Sequence, residues 1–290
     1  MVGLVPFSAR RRVMIAKSLR NSKKGLPRIM AVVNCTPDSF HSRSRRNSAE
    51  SAIEYSIEAL KDGATWLDIG GESTRPNSLA ISIEEELTRV IPVIEGIRRQ
   101  NPEVMISIDT RNHEVARAAL NAGADLINDV SGLRDKSMFD LVLESGCGVC
   151  IMHMLGTPDS MQNDPQYGDV VQEISADLNT TAERLVARGH PPELICLDAG
   201  IGFGKRLEHN LALLRNSDNL RKKHDFSIMV GASRKSMFKD LLGRESSDER
   251  LAGTLGVAAH AMQTGVDILR VHDVVEHADL LNTLAALKGD

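Results

Sequence analysis

The sequence predicts an α/β fold, a single (β/α)8 TIM barrel with a short N-terminal extension, and three observations carry that expectation. Eight short runs rich in β-branched residues recur along the 290 residues. Between them lie amphipathic stretches whose apolar residues recur at three and four, the helical period. Polar residues gather at the C-terminal end of each run, the end at which barrel enzymes place their chemistry. Alternating strand and helix implies a parallel sheet with right-handed crossovers. An open doubly wound sheet is the alternative that pattern leaves standing.

In chain order, the first 37 residues hold eight Lys or Arg and no acid. Residues 1–27 read as a basic N-terminal cap whose loop, "RNSKKGLP", leads into the barrel at residues 28–290. An Arg-rich, acid-poor targeting segment is the other reading. The strand runs are Arg28–Asn34, Thr65–Gly71, Val104–Thr110, Asp125–Val130, Gly148–Met154, Leu194–Gly200, Ser227–Ser233 and Ile268–Val274. Helical stretches such as "SAESAIEYSIEALKDG", "IEEELTRVIPVIEGIRRQ" and "NHEVARAALNAG" separate them, and several close on a glycine, the C-cap signature. The strand ends carry Asn34, Asp68 with Glu72, Asp109, Asn128 with Asp129, His153, Asp198, Ser233-Arg234-Lys235, and Arg270-His272-Asp273. One such residue is as well explained by a turn or a helix cap. Eight together, on one barrel face, point to a binding site.

Composition narrows the function class. The net charge is −4, and aromatics number six Phe, two Tyr and one Trp. Neither favours nucleic acid as a partner. No apolar run reaches the ~18 residues that a membrane span needs. The four cysteines are sparse, unlike a disulfide framework, which suggests a reducing compartment. Cys147 and Cys150 have the C-x-x-C spacing, but no second pair completes a zinc site, so they read as small residues of a buried strand.

"DAGIGFGKR", Asp198 to Arg206, resembles a phosphate loop and fails the test for one. A P-loop has four residues between its first glycine and Gly-Lys, then Ser or Thr. The dinucleotide fingerprint is G-x-G-x-x-G after a first strand. Here the spacing is G-x-G-x-G after the sixth run. The glycines are expected to let backbone approach a flat ligand, with Phe203 offering a ring face and Asp198 two acceptor oxygens. That makes a heterocycle site, with any phosphate bound elsewhere.

In order, "NCTPDSF", "DIGGESTRP", "SIDT", "NDVSG", "MHMLGTP", "DAGIGFGK", "GASRKS" and "LRVHD" occur along the chain. Together they resemble the dihydropteroate synthase family, from about Arg28 to the C-terminus. The resemblance implies a pterin-binding barrel. Its reaction joins 6-hydroxymethyl-7,8-dihydropterin pyrophosphate to p-aminobenzoate and releases pyrophosphate with Mg2+. It puts the pterin against Asp109, Asn128, Asp198 and Lys235, with Met154, Phe203 and Arg270 packed near the ring. Asn34 becomes the Mg2+ ligand, and Thr74, Arg270 and His272 the pyrophosphate clamp. Phe40, Thr74, Arg75, Pro76 and Ser236 are implied for p-aminobenzoate. Its carboxylate would sit near Ser236 and the N–H groups of the following helix. Asp109, Lys235 and Arg270 are implied as the catalytic set, Asp109 chiefly to stabilise positive charge on the pterin methylene. His153 and His272 are weaker candidates for a general base, because the arylamine is already nucleophilic.

Three departures from the family pattern stand out. His41, Ser42, Arg43 and Ser44 replace a usual S-D-G-G, within an altered stretch from His41 to Arg46. "STRPNS" lacks the usual Gly-Ala after its proline. Ala199 stands where proline is usual. Two other functions compete: a methyltransferase of the same barrel superfamily, which needs neither "STRP" nor "SRKS", and a catalytically weak pterin sensor. The family resemblance further implies a cytoplasmic homodimer formed through the last helices, for which "HADLLNTLAALKG" is apolar enough.

Overall fold

A computed structural model describes residues 6–22, 25–36, 45–72, 81–156, 165–221 and 224–288, with the side chains of 45–48 left aside. Its elements, in chain order, are α1 (Ala9–Ser18), β1 (Arg28–Asn34), α2 (Arg45–Lys61), β2 (Trp66–Gly70), α3 (Ile83–Gln100), β3 (Met105–Asp109), α4 (His113–Ala122), β4 (Leu126–Asp129), α5 (Lys136–Ser145) and β5 (Gly148–Met152). Then come α6 (Val170–Ala187), β6 (Ile195–Asp198), α7 (Leu207–Arg215), β7 (Ser227–Val230), α8 (Met237–Leu242), α9 (Leu251–Gln263), β8 (Ile268–Val271) and α10 (Val274–Lys288). The eight strands form a closed parallel barrel in sequence order. Closure is fixed by β1 pairing with β8, Arg28 opposite Ile268, which excludes the open sheet. Each strand lies within its sequence-expected run. The ends are shorter where polar residues turn away into loops, so His153 and Met154 follow β5 instead of ending it.

Local chemistry accounts for the helices. Ser82 accepts the Glu85 N–H at 3.2 Å to start α3, with Glu84, Glu85 and Glu86 in its first turn and Arg98 and Arg99 in its last. That polarity complements the helix dipole. Asp169 caps α6 by accepting from the N–H groups of Val171 and Gln172. Gly123 ends α4 at φ 115°, a conformation that a side chain resists.

Strand alternation makes two cores. Outward residues such as Ala31, Val33, Leu67 and Ile69 pack under the helices. Inward residues Met30, Trp66, Met105, Leu126, Cys150, Cys196, Met229 and Ile268 fill the lower barrel. The N-terminal cap closes this lower core from beneath. Ile15 and Leu19 of the α1 segment join the interior cluster, and Trp66 Nε1 donates to Ser18 O at 3.0 Å. Arg11 donates to both Asp125 oxygens, at 2.6 and 2.8 Å. Leu19 is fully buried. Leu19→Ala is expected to cost about 2–5 kcal/mol of stability, read by urea unfolding, while the folded variant keeps its turnover, because the plug lies at the end opposite the site.

The C-x-x-C pair is divided by the same alternation. Cys147 belongs to the outer core and Cys150 to the barrel interior. Three residues apart, their sulfurs lie on opposite faces of one strand and cannot share a metal. Both thiols are free and buried.

Candidate active site

The upper barrel is polar where the lower barrel is apolar. Asp68, Asn128, Asp198 and Arg270 take the inward positions one step above the apolar floor. Asp109 sits at the top of β3, its Cα opposite Gly70 on one side and Asn128 on the other. Gly70 matters here: a Cβ on it would stand 3.6 Å from the Asp109 Cβ.

Arg270 is the centre of this layer. Its Nε donates to Asp68 Oδ2 at 2.6 Å and its Nη2 to Asp109 Oδ2 at 2.6 Å. Asn128 Nδ2 donates to the same Asp68 oxygen at 3.1 Å. Burial opposes the guanidinium charge, yet Asp68 and Asp109 hold it protonated well above its ordinary range. Burial pushes the Asp109 carboxyl up to about 7, against Arg270 and Lys235 and in the same direction as Asp68 and Glu86. Two nitrogens of the arginine expected to clamp pyrophosphate therefore face carboxylates. Among the described residues, Nη1 is the guanidinium nitrogen with no such partner, and it remains for an anion.

Asp198 and Asn128 behave differently from the acid beside Asn128 in sequence. Asp198 Oδ1 accepts the Gly200 N–H at 2.8 Å, and burial raises its carboxyl above the usual range. Asp129 points outward and caps its own loop, accepting from Ser131 N, Ser131 Oγ and Leu133 N, each at 2.8 Å. Alternation thus separates "ND" into one inward amide and one outward cap. Val130, Met152, Met154 and Phe203 form a small apolar cluster of their own at the mouth. It supplies walls for a flat ring.

At two of the "GIGFGK" glycines the protein's own atoms take the space a side chain would need, a use that the sequence expectation did not include. Gly200, Gly202 and Gly204 all have positive φ, 66°, 82° and 63°. A Cβ on Gly200 would lie 2.0 Å from His153 O, and one on Gly202 would lie 3.3 Å from the Lys235 stem. Lys205 turns inward to tie the loop down, donating to Phe203 O at 2.8 Å and His153 O at 3.3 Å, with His153 Nδ1 at 3.2 Å. Burial pushes Lys205 down to about 7 and His153 down to about 3. A neutral imidazole facing a lysine is a poor general base.

Lys235 lies with Nζ 3.9 Å from the Phe203 ring centroid, a cation–π contact. The ring face expected to meet the ligand is thus shared with this ammonium. Burial pushes Lys235 down to about 8, with Arg270 adding to the fall and Asp198 and Asp109 opposing it. The turn that presents it is held by Arg234 at φ 59°, which pairs with Asp273 and Asp248 while its carbonyl accepts from Arg250 Nη1 at 3.0 Å. Ser236 follows at the start of α8, which is only six residues long. Its N-terminus is a weaker anion site than expected, since so short a helix sums few peptide dipoles. A cavity of about 530 Å³ opens beside Ser236, lined also by Lys205, Arg206 and Asn210.

His272 is neutral too. Burial pushes it down to about 3, helped by Arg270 and Arg234. Its Nδ1 lies 3.0 Å from Ser233 Oγ, which also accepts the His272 backbone N–H at 3.2 Å. A clamp through His272 would use a neutral N–H and not an imidazolium. Asn34 ends β1 at half-exposure, opposite Gly70. Phe40, Thr74, Arg75 and Pro76 lie outside the described residues, as do His41 to Ser44. Sequence reading placed Asp68 and Arg234 among the polar strand ends but gave neither a task of its own, and gave Lys205 none. The alternation of Trp66, Asp68 and Gly70 on one strand face is the signal that could have shown Asp68 to point inward.

Comparison with known proteins agrees with this geometry. The family described as Pterin binding enzyme matches residues 30–272. The dihydropteroate synthase of Escherichia coli K12 is 42% identical over 262 residues, covering 90% of this chain and 91% of that protein. Among solved structures, the Xanthomonas albilineans dihydropteroate synthase with 4-aminobenzoic acid superposes with a TM-score of 0.84 at 38% identity, covering 92% of this chain and 95% of that one. The Burkholderia cenocepacia enzyme complexed with 7,8-dihydropteroate gives 0.82 at 39% identity, covering 91% and 92%.

Proposed function

Because the chain belongs to the pterin-binding enzyme family and acts as a dihydropteroate synthase, a transferase of folate biosynthesis, we propose that its mouth residues divide that reaction among them. Its small-molecule substrates are a dihydropterin pyrophosphate and p-aminobenzoate. The observation that carries the residue assignment is the pairing of buried acceptors with a separate apolar cluster. Asp198 and Asn128 are buried, and so are Met154 and Phe203, which gives a polar edge and ring walls from the same set of strand ends. A pterin presents an edge of N–H donors and ring acceptors, which buried carboxylates and amides match.

In the reaction, the methylene–oxygen bond to pyrophosphate breaks and its electrons leave with the pyrophosphate. The arylamine lone pair forms the new C–N bond, and the amine then sheds a proton to solvent. Positive charge develops on the methylene, and the Asp109 carboxylate stabilises it. Lys235, over the Phe203 ring, belongs to the pterin pocket, while Arg270 through Nη1 and His272 through an N–H hold the departing anion, with Thr74. Phe40, Thr74, Arg75, Pro76 and Ser236 receive p-aminobenzoate.

For Mg2+, the fit rests on the donor set. Among the described residues no group of three His, Cys, Asp or Glu could hold a metal ion. The half-exposed Asn34 amide offers one neutral oxygen. Mg2+ keeps several waters and is often held by one protein group plus substrate phosphates, so a single oxygen suits it. Bound there, Mg2+ would neutralise pyrophosphate charge.

No described helix is long and apolar enough to cross a membrane. A cytoplasmic homodimer using α10, with Val275 and Leu287 exposed, and the division at residues 27 and 28 complete the proposal. Calorimetry with a 6-hydroxymethylpterin tests the ring assignment. Asp198→Ala is expected to weaken binding on the order of 10–100-fold, the worth of a charged hydrogen bond. An unchanged Kd would place the pterin elsewhere.

A further inference from the structure

Asp68 is a carboxylate in an awkward place. It sits in the middle of β2, fully buried, one inward position above Trp66. Among the described residues it binds through one oxygen. Oδ2 accepts from Arg270 Nε on β8 and from Asn128 Nδ2 on β4. Among the described residues Oδ1 has no partner, nor does the buried hydroxyl of Ser107, whose Cα is its register neighbour. Orphaned buried oxygens destabilise a fold, and an apolar residue would pack this position more favourably. Fold stability is therefore a poor reason for an acid here.

Its effect on the site is a better one. Arg270 serves two carboxylates with adjacent nitrogens, and Asp68, holding Nε, fixes the plane from which Nη2 reaches Asp109. We infer that Asp68 is a positioning residue for the reaction: it orients Arg270 and Asn128 together and keeps Arg270 from neutralising Asp109 alone. This inference rests on the role given above to Asp109.

The groups facing Asp109 are Arg270 from β8, Asp68 from β2, Glu86 from α3 and Lys235 from the turn after β7. Asp68 raises the Asp109 carboxyl by like-charge repulsion, while Arg270 lowers it. In Asp68→Asn the repulsion is gone and Arg270 has one carboxylate fewer to serve. Both changes favour the charged form of Asp109, so its pKa falls.

The test is the pH profile of purified Asp68→Asn, with Ser107→Ala as a control that removes the neighbouring hydroxyl but no charge. The expected result is a fall in kcat on the order of 10–100-fold, little change in KM for p-aminobenzoate, and an acid limb of kcat/KM moved to lower pH. Ser107→Ala should keep the wild-type limb. Should Asp68→Asn fold poorly, Asp68→Ser removes the same charge and should move the limb the same way. An acid limb unmoved in a folded, charge-free variant overturns the inference while leaving the synthase reading intact. Failure of the wild type to form product overturns that reading instead.

Discussion

Arg270→Met is expected to abolish measurable turnover and to cost about 3–5 kcal/mol of stability, the penalty for breaking a buried ion pair. The guanidinium is the sole charge partner drawn within 2.6 Å of both Asp68 and Asp109 among the described residues. Methionine fills much of the space but leaves two carboxylates facing each other without the guanidinium that joined them. The loss depends on pH, and its sign follows from burial. Without Arg270 the folded-state pKa of Asp109 rises further above its unfolded value. The fold then prefers the protonated form, whose stabilising contribution is present at low pH and lost as pH rises through the folded pKa. Urea unfolding at pH 5 should thus show a smaller difference from wild type than at pH 8. A loss independent of pH would mean that packing, and not charge, is what Arg270 supplies.

Asp109→Asn should lower kcat/KM on the order of 10²–10³-fold with the fold intact, the range seen when one preorganised electrostatic group is removed from a site. The amide is nearly isosteric, and its oxygen can still accept from Arg270 Nη2, which now donates to Asp109 at 2.6 Å. What it lacks is the negative charge opposite the developing methylene cation. Pterin affinity should change less than turnover, since the charge matters most in the transition state. Calorimetry beside steady-state kinetics separates the two. Equal losses in Kd and in kcat/KM would make Asp109 a ring-binding group only.

The barrel was legible because its signals are local. Each strand is a short β-branched run, each helix a 3.6-period stripe, and the alternation repeats eight times. Asn128 and Asp198 could be named from sequence because each is a polar residue at the end of a strand run and falls on a motif of the family. Pairings across the barrel were not legible. Asp68 meets Arg270 202 residues away, and no spacing rule connects β2 to β8. Protonation states were hidden for the same reason. The neutrality of His272 and His153 comes from burial beside Arg270 and Lys205, which only the folded chain assembles. The glycines of "GIGFG" were read as serving a ligand because sequence shows flexibility but not what it makes room for, here His153 O and the Lys235 stem. Lys205, which closes the stretch that resembles a phosphate loop, ties two loops together.

The most direct measurement is product formation. Purified protein is incubated with 6-hydroxymethyl-7,8-dihydropterin pyrophosphate, p-aminobenzoate and Mg2+, and 7,8-dihydropteroate is followed by mass spectrometry beside Asp109→Ala and Asp198→Ala. The expected result is product from the wild type that falls to near background in both variants. Product undiminished in either variant, or absent from the wild type while a pterin still binds, would contradict the catalytic site described for this barrel.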